Sequence, residues 1–293
     1  MKIGFFPNLG KNNILEVLKK TAQICQSYGI EVFVPNDTQD PDLAEKIGVD
    51  ESHALPRPEI YEKIDMAFSF GGDGTIIHLS RLITTYNVPV CGINLGELGF
   101  LNQIELEELE DGIKKIVEGA YSIEDRTHFS ALIERKDGTT EELVPVMNDL
   151  AITHTKAGKM ARIILTVDGG KTQMYCCDGL VISTSTGSTG YNLSAGGPIM
   201  TPDNHSIIIT PVAPHLMQGS SLVLKESAKV DISMPERQQT LHLSVDGTFD
   251  YLLNYEDFIH LISSPLYCKY VRFHDREFFS TLFKKLKGRH EEY

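Results

Sequence analysis

The sequence predicts an α/β N-terminal domain, built on a Rossmann-like parallel sheet, followed by a mostly β C-terminal domain. Three observations carry this expectation. Strand-like apolar runs alternate with amphipathic segments through about residue 123; beyond it, short β-like runs separated by Asp-Gly pairs take over. The chain has 293 residues, 41% hydrophobic and 23% charged, which is enough apolar material for two cores. The boundaries read from these changes are 1–123 for the α/β domain, 124–265 for the β-rich domain, and 266–293 for a C-terminal segment.

In chain order, "KIGFFPN" reads as a short apolar strand. "NNILEVLKKTAQICQSYG" places apolar residues at helical spacing and stops at Gly29, and "IEVFVP" is a strand again. Residues 36–60, with Pro41, Pro56 and Pro58, read as loop and irregular turns. "MAFSF", a helix from about Thr75 to Tyr86, and "VPVCGIN" repeat the alternation, which places ligand loops at the C-terminal ends of parallel strands. In the second half "RKDGTT", "TVDGGK" and "SVDGTF" each set Asp-Gly between β-like segments, a strong hairpin signal. "REFFSTLFKKLKG" returns to helical spacing, and its Phe278, Phe279, Leu282, Phe283 and Leu286 need a surface. We expect it to pack back on the first domain; a free terminal helix and an oligomer contact are the alternatives.

The formal net charge is −13, with no block of lysine and arginine, so neither nucleic acid nor an anionic membrane surface is expected as a partner. No apolar stretch approaches the ~20 residues of a membrane span, and no signal-peptide pattern is seen, so the protein is read as cytoplasmic. Five cysteines, odd in number and without zinc-type spacing, read as buried free thiols, and no metal-ligand set is assigned.

"FSFGGDGTIIHLS" carries the first chemical signal. Gly71, Gly72 and Gly74 let the backbone approach a ligand, and the start of the following helix favours negative charge. The loop lacks the Gly-Lys-Ser/Thr of a Walker loop and the spacing of a dinucleotide fingerprint; its charged residue is Asp73. An acid beside phosphates is repulsive unless it meets a metal ion or manages the proton of a hydroxyl, and phosphoryl transfer to an alcohol offers both. The bland alternative is a helix cap by Asp73 or Thr75.

"CDGLVISTSTGSTGYNLSAGGPI" could be a linker on composition alone. Strand-like "LVIS" and "SIIITPV" flank its centre, and hydroxyls around Tyr191 suit a nucleoside. In "VMNDLAIT", Asn148 and Asp149 could simply join strands, or could hold two ribose hydroxyls. "NLGELGFL" adds a glycine-spaced loop with Phe100, and His215 in "PVAPHL" is by itself more often structural than catalytic. Residues 145–154 and 178–198 hold no lysine or arginine, which favours an acceptor rich in nucleoside surface over a sugar phosphate.

Together these residues resemble the NAD kinase family, whose hallmarks are a "GGDGT" loop, an Asn-acid pair and a "TGSTAY-x-LSAGGPI"-like segment. The likeness runs from "KIGFFPN" to "EFFSTL". "GGDGT" alone is shared with lipid kinases of the diacylglycerol type; the long second segment is what points to NAD kinases. The resemblance implies an NAD kinase-like fold, usually a dimer or tetramer, and phosphorylation of the adenosine ribose 2′-hydroxyl of NAD by ATP or polyphosphate with Mg²⁺. It implies that Asp73 acts on that hydroxyl and that Gly71, Gly72, Gly74 and Thr75 form the phosphate-donor loop. Asn148 and Asp149 would hold ribose. Thr186, Thr189, Gly190 and Tyr191 would contact the dinucleotide, Gly74 would lie beside it, Phe100 would lie against a base, and Asp178 near the nicotinamide half.

The sequence departs from the family pattern at Asp149, commonly glutamate, at Cys177, usually glycine, and at Gly190, usually alanine. Two other functions fit part of the pattern: a lipid kinase sharing the loop, and a non-catalytic NAD(P) sensor. The first would bind anionic vesicles, and the second would bind NAD without turnover.

Overall fold

Strand Met66–Gly71 is buried at every residue, as a near-continuous apolar run in the middle of a parallel sheet must be. The computed structural model describes all residues except 97, 98, 157, 171, 216–218, 236, 238, 275–277 and 289–293. Two compact units emerge: Met1–Asp125 with Cys268–Tyr293, and Arg126–Tyr267.

In the first unit the parallel strands lie in the order Ala54–Leu55, Glu31–Pro35, Lys2–Pro7, Met66–Gly71, Val90–Asn94, with Asn102–Ile104 beside the last. The chain works outward from Lys2–Pro7 and then resumes on its other side at Met66–Gly71. That reversal of strand order is where open α/β sheets bind ligands, outside the strand C-termini. Phe5, Phe68 and Phe70 fill the core there, with ring centroids 4.9 Å apart for Phe5 and Phe70. Helix Ile14–Ser27 buries Leu18, Ala22 and Cys25 at helical spacing. From Cys268 onward the chain belongs to this unit: Tyr270 pairs with Val90, and the Phe273 N–H donates to Gln103 Oε1 at 3.0 Å. Helix Phe278–Gly288 follows.

Two local expectations need correction. Residues 36–60 are not all loop: helices Leu43–Ile47 and Arg57–Tyr61 form because Leu43, Ala44, Ile47, Ile60 and Tyr61 find the core, and Pro56 and Pro58 sit at a helix start, where proline is tolerated. The helix after the glycine loop runs Asp73–Ile83, not from Thr75, and ends in a tighter turn over Thr84–Tyr86, before Asn87 turns left-handed at φ 60°.

The second unit is antiparallel. One sheet runs Leu222–Lys225, Ser206–Val212, Gly179–Thr184, Asp149–His154, Leu241–Val245, Phe249–Leu253. Other strands pair Gln173–Cys177 with Ala161–Val167, then Val230–Ser233, then Phe258 to His260. Apolar residues from both groups share one core that includes Ile152, Ile163, Leu180, Ile182, Ile232 and Leu243. All three Asp-Gly pairs make hairpins. At two of them both residues are left-handed, Asp168 and Gly169 at φ 51° and 66°, Asp246 and Gly247 at φ 49° and 63°, in tight turns closed by the N–H of Gly170 on Val167 O and of Thr248 on Val245 O. The five cysteines are free, but Cys176 is only partly buried. Among the described residues no helix is long and apolar enough to cross a membrane.

Candidate active site

The glycine loop lies at the C-terminal end of Met66–Gly71 and opens helix Asp73–Ile83. Its glycines answer to different demands. A Cβ at Gly71 would lie 2.2 Å from Thr75 Oγ1, so the helix's own threonine excludes a side chain there; Gly72 and Gly74 face open space. Gly72 is the cap residue, and no side chain caps the helix, so the capping reading of Asp73 and Thr75 does not hold.

Asp73 instead reaches across to the segment after strand Val90–Asn94. Its carboxylate accepts the N–H groups of Phe100 at 2.8 Å and Leu101 at 3.1 Å, and Asn102 Nδ2 at 3.3 Å. The approach is close enough that a Cβ on Gly99 would come within 2.1 Å of Asp73 Oδ1. Asn94 stiffens the start of the same loop: its Nδ2 donates to Glu105 Oε2 at 2.8 Å and its Oδ1 accepts from Gly96 N–H at 3.2 Å. Glu97 and Leu98 of this loop lie outside the described residues. Lys285, on the terminal helix, places Nζ 4.0 Å from Asp73 Oδ2 and 4.3 Å from the Phe100 ring centroid, and Phe278 contacts the same ring. A loop without its own lysine thus has one beside its acid.

In the second unit the 147–149 and 184–191 stretches are bonded into one cluster. Thr184 donates its hydroxyl to Met147 O at 2.7 Å and its N–H to Asn148 O at 2.9 Å. Gly187 follows in a tight turn, Thr186–Thr189, where any Cβ would strike Asn148 O at 2.1 Å. Tyr191 opens the short helix Tyr191–Ser194 with its ring partly exposed. Asn192, fully buried, ties the segment down: it donates to Ser188 O and Pro198 O at 3.0 and 2.9 Å and accepts from Thr210 Oγ1 at 2.7 Å. The linker reading therefore fails. Gly190 sits against this cluster, with a Cβ position 3.8 Å from Asp149 Oδ2.

Electrostatically the most perturbed group of the cluster is Asp149. Burial, and then the charge of Asp246, push its carboxyl up to about 7. The Tyr191 phenol is also raised, by burial first and then by Asp149 and Asp178.

The structure thus brings Asp73 together with Phe100, and Asn148 and Asp149 together with Thr186, Thr189, Gly190 and Tyr191. Asp178 is exposed between strands Gln173–Cys177 and Gly179–Thr184, and its tie to the cluster is its effect on Tyr191. His215 is exposed, and its backbone N–H donates to Cys176 O at 2.8 Å. Sequence reasoning missed Asn102, Asp246, Lys285 and Arg126. The last corrects the count of cations: although residues 178–198 contain none, buried Arg126 donates to Thr186 Oγ1 at 3.1 Å.

A glycine loop carrying an acid at a strand-order reversal, with a hydroxyl-rich antiparallel half, defines a phosphotransferase of the GGDGT-loop class. Within that class the sequence is specific: the ATP-NAD kinase N-terminal domain matches residues 3–121 and the ATP-NAD kinase C-terminal domain matches residues 147–273, so the chain belongs to the ATP-NAD kinase family. The NAD kinase of Caldanaerobacter subterraneus subsp. tengcongensis is 35% identical over 288 residues, 98% of this chain and 99% of that relative. The NAD kinase of Geotalea daltonii is 35% identical over 289 residues, 98% of each. Among solved structures, an NAD kinase from Archaeoglobus fulgidus in complex with ATP superposes with a TM-score of 0.72 at 25% identity, over 98% of this chain and 99% of that one. Yeast NADH kinase complexed with NADH shares the fold, with a TM-score of 0.84 at 24% identity, over 98% of this chain and 87% of that one.

Proposed function

We propose that this chain transfers a phosphoryl group from ATP, or from polyphosphate in its place, to the adenosine ribose 2′-hydroxyl of NAD, giving NADP. The observation that carries the reading is the placement of Asp73 in the first helical turn at the strand-order reversal, oriented by two backbone amides. An acid so held can take the proton of an attacking hydroxyl. Gly72 and Gly74, open to their surroundings, let the donor phosphates approach the helix start, where the first N–H groups lack intrahelical partners. Lys285 adds positive charge to the same loop.

Asn148 and Asp149 hold ribose hydroxyls, Thr186, Thr189 and Gly190 line the dinucleotide, Tyr191 and Phe100 lie against its rings, and Asp178 serves the nicotinamide half. Among the described residues no three His, Cys, Asp or Glu side chains gather as a metal cage. Mg²⁺ would arrive on the donor's phosphates, the usual arrangement for this ion, where it would neutralise their charge. We further propose self-association as a dimer or tetramer, supported by edge strands Leu222–Lys225 and Phe249–Leu253 with exposed Val223 and Leu252, and a cytoplasmic location. Light scattering that returned a 33 kDa particle at micromolar concentration would count against self-association.

The deciding experiment is a product assay crossing NAD, NADH and a diacylglycerol lipid with ATP and polyphosphate, with NAD binding measured by calorimetry alongside. NADP formation is expected. NAD binding without product would make the chain a sensor, and phosphorylated lipid in place of NADP would make it a lipid kinase.

A further inference from the structure

Asp246 is the first turn residue of the hairpin between Leu241–Val245 and Phe249–Leu253, and its left-handed φ is ordinary for an Asp-Gly turn. The turn asks nothing more of its side chain. In the other two Asp-Gly hairpins the aspartate bonds modestly: Asp137 accepts from Thr139 N–H and hydroxyl, and Asp168 accepts one amide, that of Lys229. Asp246 does something different. It accepts three consecutive backbone N–H groups, Met147 at 3.1 Å, Asn148 at 2.8 Å and Asp149 at 3.0 Å. Its own N–H donates to Asp149 O at 2.8 Å, the next step past the pairing of Val245 with Leu150. Successive amides turned to one point make an anion-binding concavity. Here the anion is supplied by the protein itself.

We infer that Asp246 is a positioning residue for the acceptor: it clamps the 147–149 backbone so that Asn148 and Asp149 hold one fixed presentation, and it keeps a negative charge beside the Asp149 carboxyl. The inference rests on the reading of Asn148 and Asp149 as ribose-holding residues. Its consequence is electrostatic as well as geometric. Among the described residues, Asp246 from the hairpin is the charge that acts on Asp149, and Asp149 and Asp178 in turn act on Tyr191 from the short helix. Burial first, and then the charge of Asp246, raise the Asp149 carboxyl to about 7, so it ionises only near neutrality. The ionised form offers both oxygens as acceptors to ribose hydroxyls, whereas the protonated form turns one of them into a donor, and Asp246, after burial, helps to set the pH at which that change occurs.

The test compares wild type, Asp149→Asn and Asp246→Asn by NAD affinity from pH 5.5 to 8.5, with calorimetry as the readout. Wild-type affinity is expected to weaken below a midpoint near 7, and Asp149→Asn to flatten that profile. Asp246→Asn keeps an acceptor for the amides but drops the charge, so its midpoint should move down by about one pH unit. A loss that was merely structural would weaken binding at every pH and leave the midpoint in place, and that result overturns the inference. If Asp246→Asn does not fold, carboxyl ¹³C NMR of the wild type decides. The Asp246 resonance should step through the Asp149 midpoint, a step absent in Asp149→Asn; an Asp246 resonance without it overturns the inference. An Asp149→Asn variant that binds NAD with the wild-type affinity and pH profile would instead overturn the ribose reading, and the inference with it.

Discussion

Asp73 Oδ2 accepts the Phe100 backbone N–H at 2.8 Å, while Oδ1 takes that of Leu101 at 3.1 Å and the Asn102 amide at 3.3 Å. An ionised carboxylate has roughly four acceptor positions, so these bonds fix its orientation and still leave room for a substrate hydroxyl. Asp73→Asn removes the base and turns an NH₂ toward one of the two amides. The expected result is a kcat lower by roughly 10²–10⁴, with a stability loss on the order of 1–3 kcal/mol for the amide left unpaired. NAD affinity should fall far less than kcat, because of the assigned nucleoside contacts only Phe100 is held by Asp73, the others coming from residues 148–149 and 186–191. Steady-state kinetics with calorimetry checks both halves, and a wild-type kcat in the folded variant would end the catalytic assignment.

Gly99→Ala separates the base from the anchor. Its Cβ would fall 2.1 Å from Asp73 Oδ1, so the carboxylate must shift although it is still present. We expect kcat to fall at least tenfold, since misplacement by about an ångström costs up to 10²-fold. The NAD dissociation constant should change much less than kcat, since Phe100 is the one assigned ring contact that lies in this loop. If the carboxylate only pins the loop, Gly99→Ala will melt earlier and turn over normally.

What the sequence revealed and what it hid divide along chain separation. The hairpins were legible because Asp168-Gly169 and Asp246-Gly247 carry their own turn conformation. The parallel strands were legible because apolar runs such as "MAFSF" have no exposed face to alternate. Residues 36–60 were misread because the helices Leu43–Ile47 and Arg57–Tyr61 are too short to be set by local propensity and form by burial. At the site, Asp73 was recognisable from its glycine neighbours, but nothing near it announced that its partners would be Phe100 and Leu101. Asp246 read only as a hairpin residue, since its three amide donors lie almost a hundred residues earlier in the chain. Arg126, in the acidic stretch "IEDRTHF", carries no local sign of its reach to Thr186.

Asp149→Asn should trade function for stability, with a defined pH dependence. The folded carboxyl is raised from 3.8 to about 7 by burial and by Asp246. Below the unfolded value both states are protonated and the shift has no effect. Between the two values the unfolded chain releases its proton while the folded chain retains it, so stability falls as pH rises, and the full penalty persists above the folded value. Asparagine removes that penalty. The variant should be more stable than wild type at pH 8 by an amount on the order of a few kcal/mol, with the advantage fading toward pH 4. Chemical denaturation at the two pH values measures it; an advantage that does not shrink at low pH would mean the carboxyl is not buried as an acid. NAD affinity at pH 8 should meanwhile drop.

Tyr191 tests the acceptor half with the least disturbance to folding. Its side chain is partly exposed, 39% for the residue, and the helix it opens is held by Asn192 rather than by the ring. Removing the ring should therefore leave the melting temperature nearly unchanged, whereas removing a core tyrosine would not. If the ring stacks on the dinucleotide, Tyr191→Phe retains the π-face and should bind NAD within twofold of wild type. Tyr191→Ala should raise the NAD KM by about fivefold, the equivalent of the roughly 1 kcal/mol a stacked pair contributes. The KM for ATP should not move in either variant. Equal, small effects of the two substitutions on NAD would show that the ring makes no contact with it. A large effect of Tyr191→Phe alone would transfer the role from the ring to the hydroxyl, which burial and then Asp149 and Asp178 push further above the ordinary phenol range, so that it is protonated and able to donate at neutral pH.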